Sequence, residues 1–306
     1  MMMERWVLAT GTQKVILEIA GIAISFEAER LLLEKSLSPF VTQTPPSLIV
    51  KGSFSRPPSF KKVSPIFQFK NISRFYQIPE GTLIEIDPSF SKNPPKAILL
   101  DSCARRATFF LESKNGRMPP LPILWTYVFS LLSSFLYQGR GLFVHAAGIR
   151  NGGKGFLFVG PQGAGKSTMA RLFGQEKNAL VLGDEYIGVC REKKGIRIYG
   201  TPLVSSFPSC SPKGTSLSAI LFLTHGKKNR LRRLTPKESL EQFLPEMHVT
   251  PWLREGLSFS AEFSLDLCTQ IPTYELAFVP DERVVSFLRN SFQEERRGLR
   301  SFVERN

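Results

Sequence analysis

The sequence predicts an α/β protein: a β-rich region over 1–115, then a mixed-sheet domain of strands and helices over 120–306. Two observations predict it. Short apolar or alternating runs, punctuated by Pro and Ser clusters, fill the first 115 residues, the pattern of short strands closed by turns. Beyond about residue 120 the pattern changes to strands interleaved with helical stretches, the mark of an α/β domain. A length of 306 residues suits two domains at roughly 100–200 residues each.

In the first region, strands are expected at 21–28, 47–50, 66–69, 82–86, 97–100 and 108–111, with turn clusters at 44–47, 55–59 and 92–95. There is no repeat at a fixed period and no recognisable chemical constellation. Residues 113–122, polar and then Pro-rich, mark the boundary. Residues 123–137 read as a helix of the second domain. Residues 141–150 and 155–159 read as two strands joined through the turn-type sequence Asn151-Gly152-Gly153-Lys154. Strands are expected again at 179–184, 187–191, 195–199, 217–223 and 274–279, and helices at 166–174, 236–247 and 282–296. The helix at 236 follows Thr235, with Glu238 three residues on, a capping box.

Composition narrows the class. An apolar fraction of 42% supports a sizeable core, and the 25 Phe residues are expected to pack it. The net charge of +14 would attract anionic partners, but no nucleic-acid module is present, so no nucleic-acid partner is expected. Cys103, Cys190, Cys210 and Cys268 form no CxxC pair, and His145, His225 and His248 show no metal-ligand spacing. Reduced cysteines and a poor signal sequence, its apolar stretch broken by Glu18, point to the cytoplasm. The uncharged stretch 118–138 approaches a bilayer span in length. Its opening prolines and Ser130, Ser133 and Ser134 argue for a buried helix, so no membrane partner is expected.

The chemistry concentrates after the apolar run 156–159. Gly160, Pro161, Gln162, Gly163, Ala164, Gly165, Lys166 and Ser167 match GxxxxGK[ST], and Thr168 follows. Glycines let the backbone curl so that its N–H groups face phosphate oxygens, and the helix starting at Lys166 turns its positive end to the same anion. Lys166 supplies a charge for the β- and γ-phosphates, and Ser167 a hydroxyl for Mg²⁺. Such a loop needs a carboxylate. The best candidates are Asp184 and Glu185, which close the run 180–183 one helix and strand later.

At these residues the sequence resembles the HPr kinase-like family, related to phosphoenolpyruvate carboxykinase. The family order is a strand with a histidine, the P-loop, and an acidic pair closing the next strand. Here these are His145 in Val144-His145-Ala146-Ala147-Gly148-Ile149, the loop at 160–168, and Gly183-Asp184-Glu185. Segments 199–202 and 219–226 with Asn229 are similar to a subgroup of peptide-modification gene clusters, the SynChlorMet cassette ScmC type closest. The resemblance covers about 140–290. It implies a mixed-sheet P-loop fold of that type and transfer of a γ-phosphoryl group to a Ser or Thr hydroxyl of a protein or a short precursor peptide. Asp184 falls on the catalytic acid, Lys166 and Ser167 on nucleotide and Mg²⁺ positions, and His145 beside the phosphates, with Asp184 or Glu185 on the metal. ATP is the expected nucleotide, GTP remaining admissible. Glu185 and Thr168 depart from the family's Asp and Glu, which weighs against HPr itself as acceptor. A regulatory nucleotide-binding scaffold, a small-molecule kinase and a nucleic-acid-stimulated ATPase are the rival readings. Homo-oligomerisation is left open.

Overall fold

The computed structural model describes residues 5–7, 13–28, 32–60, 63–70, 72–87, 95–111, 121–203 and 210–303. It is a mixed α/β protein with two large mixed sheets. The chain forms two compact units, Met1–Leu142 with Val249–Ser260, and Phe143–His248 with Ala261–Asn306. The expected boundary segment falls largely on residues outside those described.

In the first unit, β1 (Arg5–Val7) pairs antiparallel with β4 (Leu32–Glu34). The large sheet runs in the order β2 (Gln13–Ile19), β3 (Ile22–Ala28), β5 (Leu48–Ser53), β10 (Arg106–Phe110), β9 (Ala97–Asp101), β8 (Gly81–Ile86), β7 (Ser73–Ile78) and β6 (Phe67–Phe69). The β3–β5 and β5–β10 pairs are parallel and the others antiparallel. All six strands expected from the sequence are present. β2 and β7 are additional, and each carries a cross-strand charge pair, Lys14–Glu27 at 3.3 Å and Arg74–Glu85 at 3.2 Å. Ile24, Leu83, Ile98 and Phe109 are completely buried. Helix α1 (Leu121–Leu136) belongs to this unit, where the sequence reading placed it with the second domain. Its Trp125 meets Phe26 edge-on, and Ser130 and Ser133 are buried. Among the described residues no helix is long and apolar enough to cross a membrane.

The second unit is built around β11 (Gly141–Asn151), which forms a hairpin with β12 (Lys154–Val159). Gly152 and Gly153 have φ of 56° and 79°, the pair of positive values that a tight two-residue hairpin turn requires. The sheet continues from β11 through β14 (Tyr186–Glu192), β15 (Gly195–Gly200), β16 (Gly214–His225), β18 (Thr273–Phe278) and β17 (Arg230–Arg233), while β13 (Ala179–Gly183) also pairs with β11. β16 is shared: its first residues pair antiparallel with β15, and later ones parallel with β12 and β18. α2 (Lys166–Gly174) and α5 (Arg283–Val303) bury Met169, Phe173, Val284 and Leu288 against Ile149, Phe158, Leu221 and Phe278. α3 (Pro236–Phe243) begins with the expected capping box and ends in a 3-10 turn, Leu244–Glu246. β17 and α4 (Arg254–Gln270) lie where no element was expected.

Phe243, the last residue of α3, is completely buried immediately before that turn. Phe243→Ala is expected to lower unfolding free energy by about 3–5 kcal/mol in urea titrations, with Phe243→Leu costing clearly less.

Candidate functional site

The register of β11 assembles the site. Its hairpin partner β12 delivers the glycine-rich loop 160–167, which leads directly into α2. On the other side Gly148 pairs with Gly183, so β13 ends with Asp184 beside the same strand. The Ala146 amide donates to the Glu185 carbonyl at 3.1 Å, which fixes Glu185 next to His145. His145, Gln162, Gly163, Gly165, Lys166, Ser167, Thr168, Asp184 and Glu185 therefore line one cavity of about 440 Å³. Pro161 and Gly160 complete the loop, and Ala164 is buried beneath it. A larger cavity of about 640 Å³ lies at the opposite end of α2, around Phe173, Asn178 and Arg289, away from all of these groups.

The loop's curl is demanding. Gly165 has φ +106°, and a Cβ there would come within 2.5 Å of the buried Phe278 ring. Gly165 offers no side chain to cap α2, so the first-turn amides have no side-chain acceptor from that residue. Lys166 folds back over the loop, its ammonium donating to the carbonyls of Gly160 at 2.5 Å and Pro161 at 3.1 Å. An ammonium has three donors, so a third direction is left for an anion.

Asp184 is only 1% exposed and Lys166 only 6%. Burial holds the Lys166 pKa below its ordinary value, while the charges of Glu246, then Glu185 and Asp184, act in the opposite direction. Burial, reinforced by Glu185 and Glu246, raises the Tyr186 phenol. Cys210, in the segment returning toward β16, is pushed up to about 11 by burial and by the Asp184 charge.

Glu246 is the residue that sequence reasoning missed. Val144 forms an isolated antiparallel bridge with Met247, and the His248 amide donates to the Phe143 carbonyl at 2.9 Å. This short pairing sets Glu246 against His145, Nδ1 to Oε2 at 3.2 Å, while His145 Nε2 faces Glu185 Oε2 at 3.9 Å. A carboxylate accepts, so Nδ1 carries the proton and the ring orientation is fixed. No local motif announces Glu246, because it lies 101 residues from His145 in sequence.

Thr201 is fully buried and its hydroxyl donates to the Tyr186 carbonyl at 2.7 Å, so it shapes the backbone rather than facing the cavity. Among the described residues no group of three or more His, Cys, Asp or Glu side chains could hold a metal by itself. Ser167 with Asp184 and Glu185 suits Mg²⁺, which takes one or two carboxylates and completes its shell with phosphate oxygens and water.

Behind the site, His248 meets Tyr186 edge-on at 5.6 Å, and burial depresses its pKa to about 4. The folded state thus resists protonation that the unfolded chain accepts near 6.5. Stability is expected to fall by about 2–4 kcal/mol as pH drops from 6.5 to 4, and His248→Gln should remove that slope from denaturation midpoints measured across this range. No protein-family model matches the chain, and no curated protein matches it.

Proposed function

We propose that the protein is an ATP-dependent phosphotransferase of HPr kinase-like type that phosphorylates a Ser or Thr hydroxyl of a protein or short peptide. One observation carries the reading: a buried acid, Asp184, shares a cavity with the lysine of a GxxxxGKS loop and a histidine from the neighbouring strand. The loop is read as a P-loop, and its resemblance-derived roles fall on residues that the fold brings together.

In this mechanism the loop amides and Lys166 bind and orient the phosphates. Ser167, with Asp184 or Glu185, would hold Mg²⁺. Bound Mg·ATP would supply the transferable γ-phosphoryl group, and the ion would offset phosphate charge. Asp184 takes the proton of the acceptor hydroxyl as its oxygen bonds to phosphorus and the bond to the ADP oxygen breaks. Burial shields Asp184 and Lys166 from water, which strengthens their action on the reacting groups. Glu246 accepts from Nδ1–H and so holds the His145 ring in the wall of the cavity, beside where the phosphates would lie. Positioning and charge account for the catalysis, as in phosphoryl transfer generally.

Asp184→Asn is expected to reduce phosphoryl transfer by about 10²–10⁴-fold while Mg·ATP affinity persists. Lys166→Ala should lose nucleotide affinity itself. Both are read by calorimetry and by mass spectrometry of a co-expressed acceptor peptide. Undiminished transfer by Asp184→Asn rejects Asp184 as the base, and nucleotide binding with no phosphorylated product favours the scaffold reading.

A further inference from the structure

We propose that His225 is a positioning residue of the nucleotide site, a clamp on the apex of loop 160–167; this rests on reading that loop as a P-loop. Gly163 stands at the apex with φ +85°, and no atom lies within 4 Å of where its Cβ would be. Side-chain packing therefore does not hold the apex. A hydrogen bond does: His225 Nε2 lies 2.9 Å from the Gly163 carbonyl oxygen. A carbonyl only accepts, so the imidazole presents Nε2–H.

The fold delivers this contact. β16 runs parallel to β12, with Val159 opposite Phe222, so its last residue, His225, lies beside the loop that leaves β12. Phe278 pairs with His225 at the end of β18, stacks on the imidazole with centroids 6.3 Å apart, and fills the space under Gly165. One buried ring thus supports both the clamp and the loop's second left-handed glycine.

The consequence reaches the lysine. A peptide unit is planar, so fixing the Gly163 carbonyl also fixes the direction of the Ala164 N–H. That N–H donates to the Pro161 carbonyl at 3.1 Å, and the same oxygen receives the Lys166 ammonium. Imidazole, apex peptide, Pro161 carbonyl and ammonium form one hydrogen-bonded chain. Without its first member the apex can tilt, and both the amide array and Lys166 lose their register on the phosphates.

The test compares Mg·ATP affinity by calorimetry, and thermal unfolding, for the full-length wild type and for His225→Ala, His225→Phe and His225→Gln. Phe keeps the ring against Phe278 without a donor, and Gln restores an N–H. Dissociation constants are expected to rise about tenfold in the Ala and Phe variants and to return to within about threefold of wild type in Gln, with melting temperatures unchanged. Wild-type affinity in His225→Phe, or no recovery in His225→Gln, overturns the clamp alone. Failure of the wild type to bind Mg·ATP overturns the P-loop reading and the clamp together.

Discussion

The register of one strand governs the candidate site. β11 pairs with β12 on one edge, with β13 on the other, and through Val144 with the segment that follows α3. These pairings bring the glycine-rich loop, Asp184, Glu185 and Glu246 to the end that carries His145. A shift of one residue along β11 would turn His145 to the opposite face of the sheet. At Gly148, opposite Gly183, a Cβ would come within 2.8 Å of the tip of the Ile187 side chain, so the absence of a side chain eases the close packing there.

The site's electrostatics follow from this convergence. A buried ammonium is costly, and Lys166 is stabilised by two backbone carbonyls and by three carboxylates around it. The carboxylates come from two separate stretches of chain, and His145 lies between Glu185 and Glu246. A divalent cation and a polyphosphate carry charges of the kind such an arrangement can exchange for its internal contacts, which is why the proposed chemistry fits the unit's architecture.

Much of this was legible in the sequence because it is local. The loop, the helix after it, the turn at Gly152 and Gly153, and the cap at Thr235 each depend on residues within a few positions of one another. What escaped is non-local or weak in apolar signal. Glu246 gains its place through a bridge to a distant strand. β17 reads as four residues with three arginines, a charged edge strand with little apolar signal. In α4 the apolar signal is diluted: Leu257 and Leu265 are exposed, while Ser260, Ser264 and Cys268 share the buried face with Phe263 and Leu267. The Ser260 hydroxyl is satisfied within the helix by the Gly256 carbonyl at 2.7 Å, so a serine serves on a packed face and the hydrophobic periodicity is weakened.

The chain's return to its first unit has a consequence for how the molecule is made. Residues Val249–Ser260 belong with Met1–Leu142, and Trp252 among them stacks on Phe75 with centroids 4.1 Å apart. During translation, therefore, the amino-terminal body cannot finish closing until the ribosome has delivered almost every strand of the other one. Domains usually fold in the order in which they emerge; here the earlier one must wait, with an aromatic surface still to be covered, for a tryptophan synthesised some 177 positions after its stacking partner.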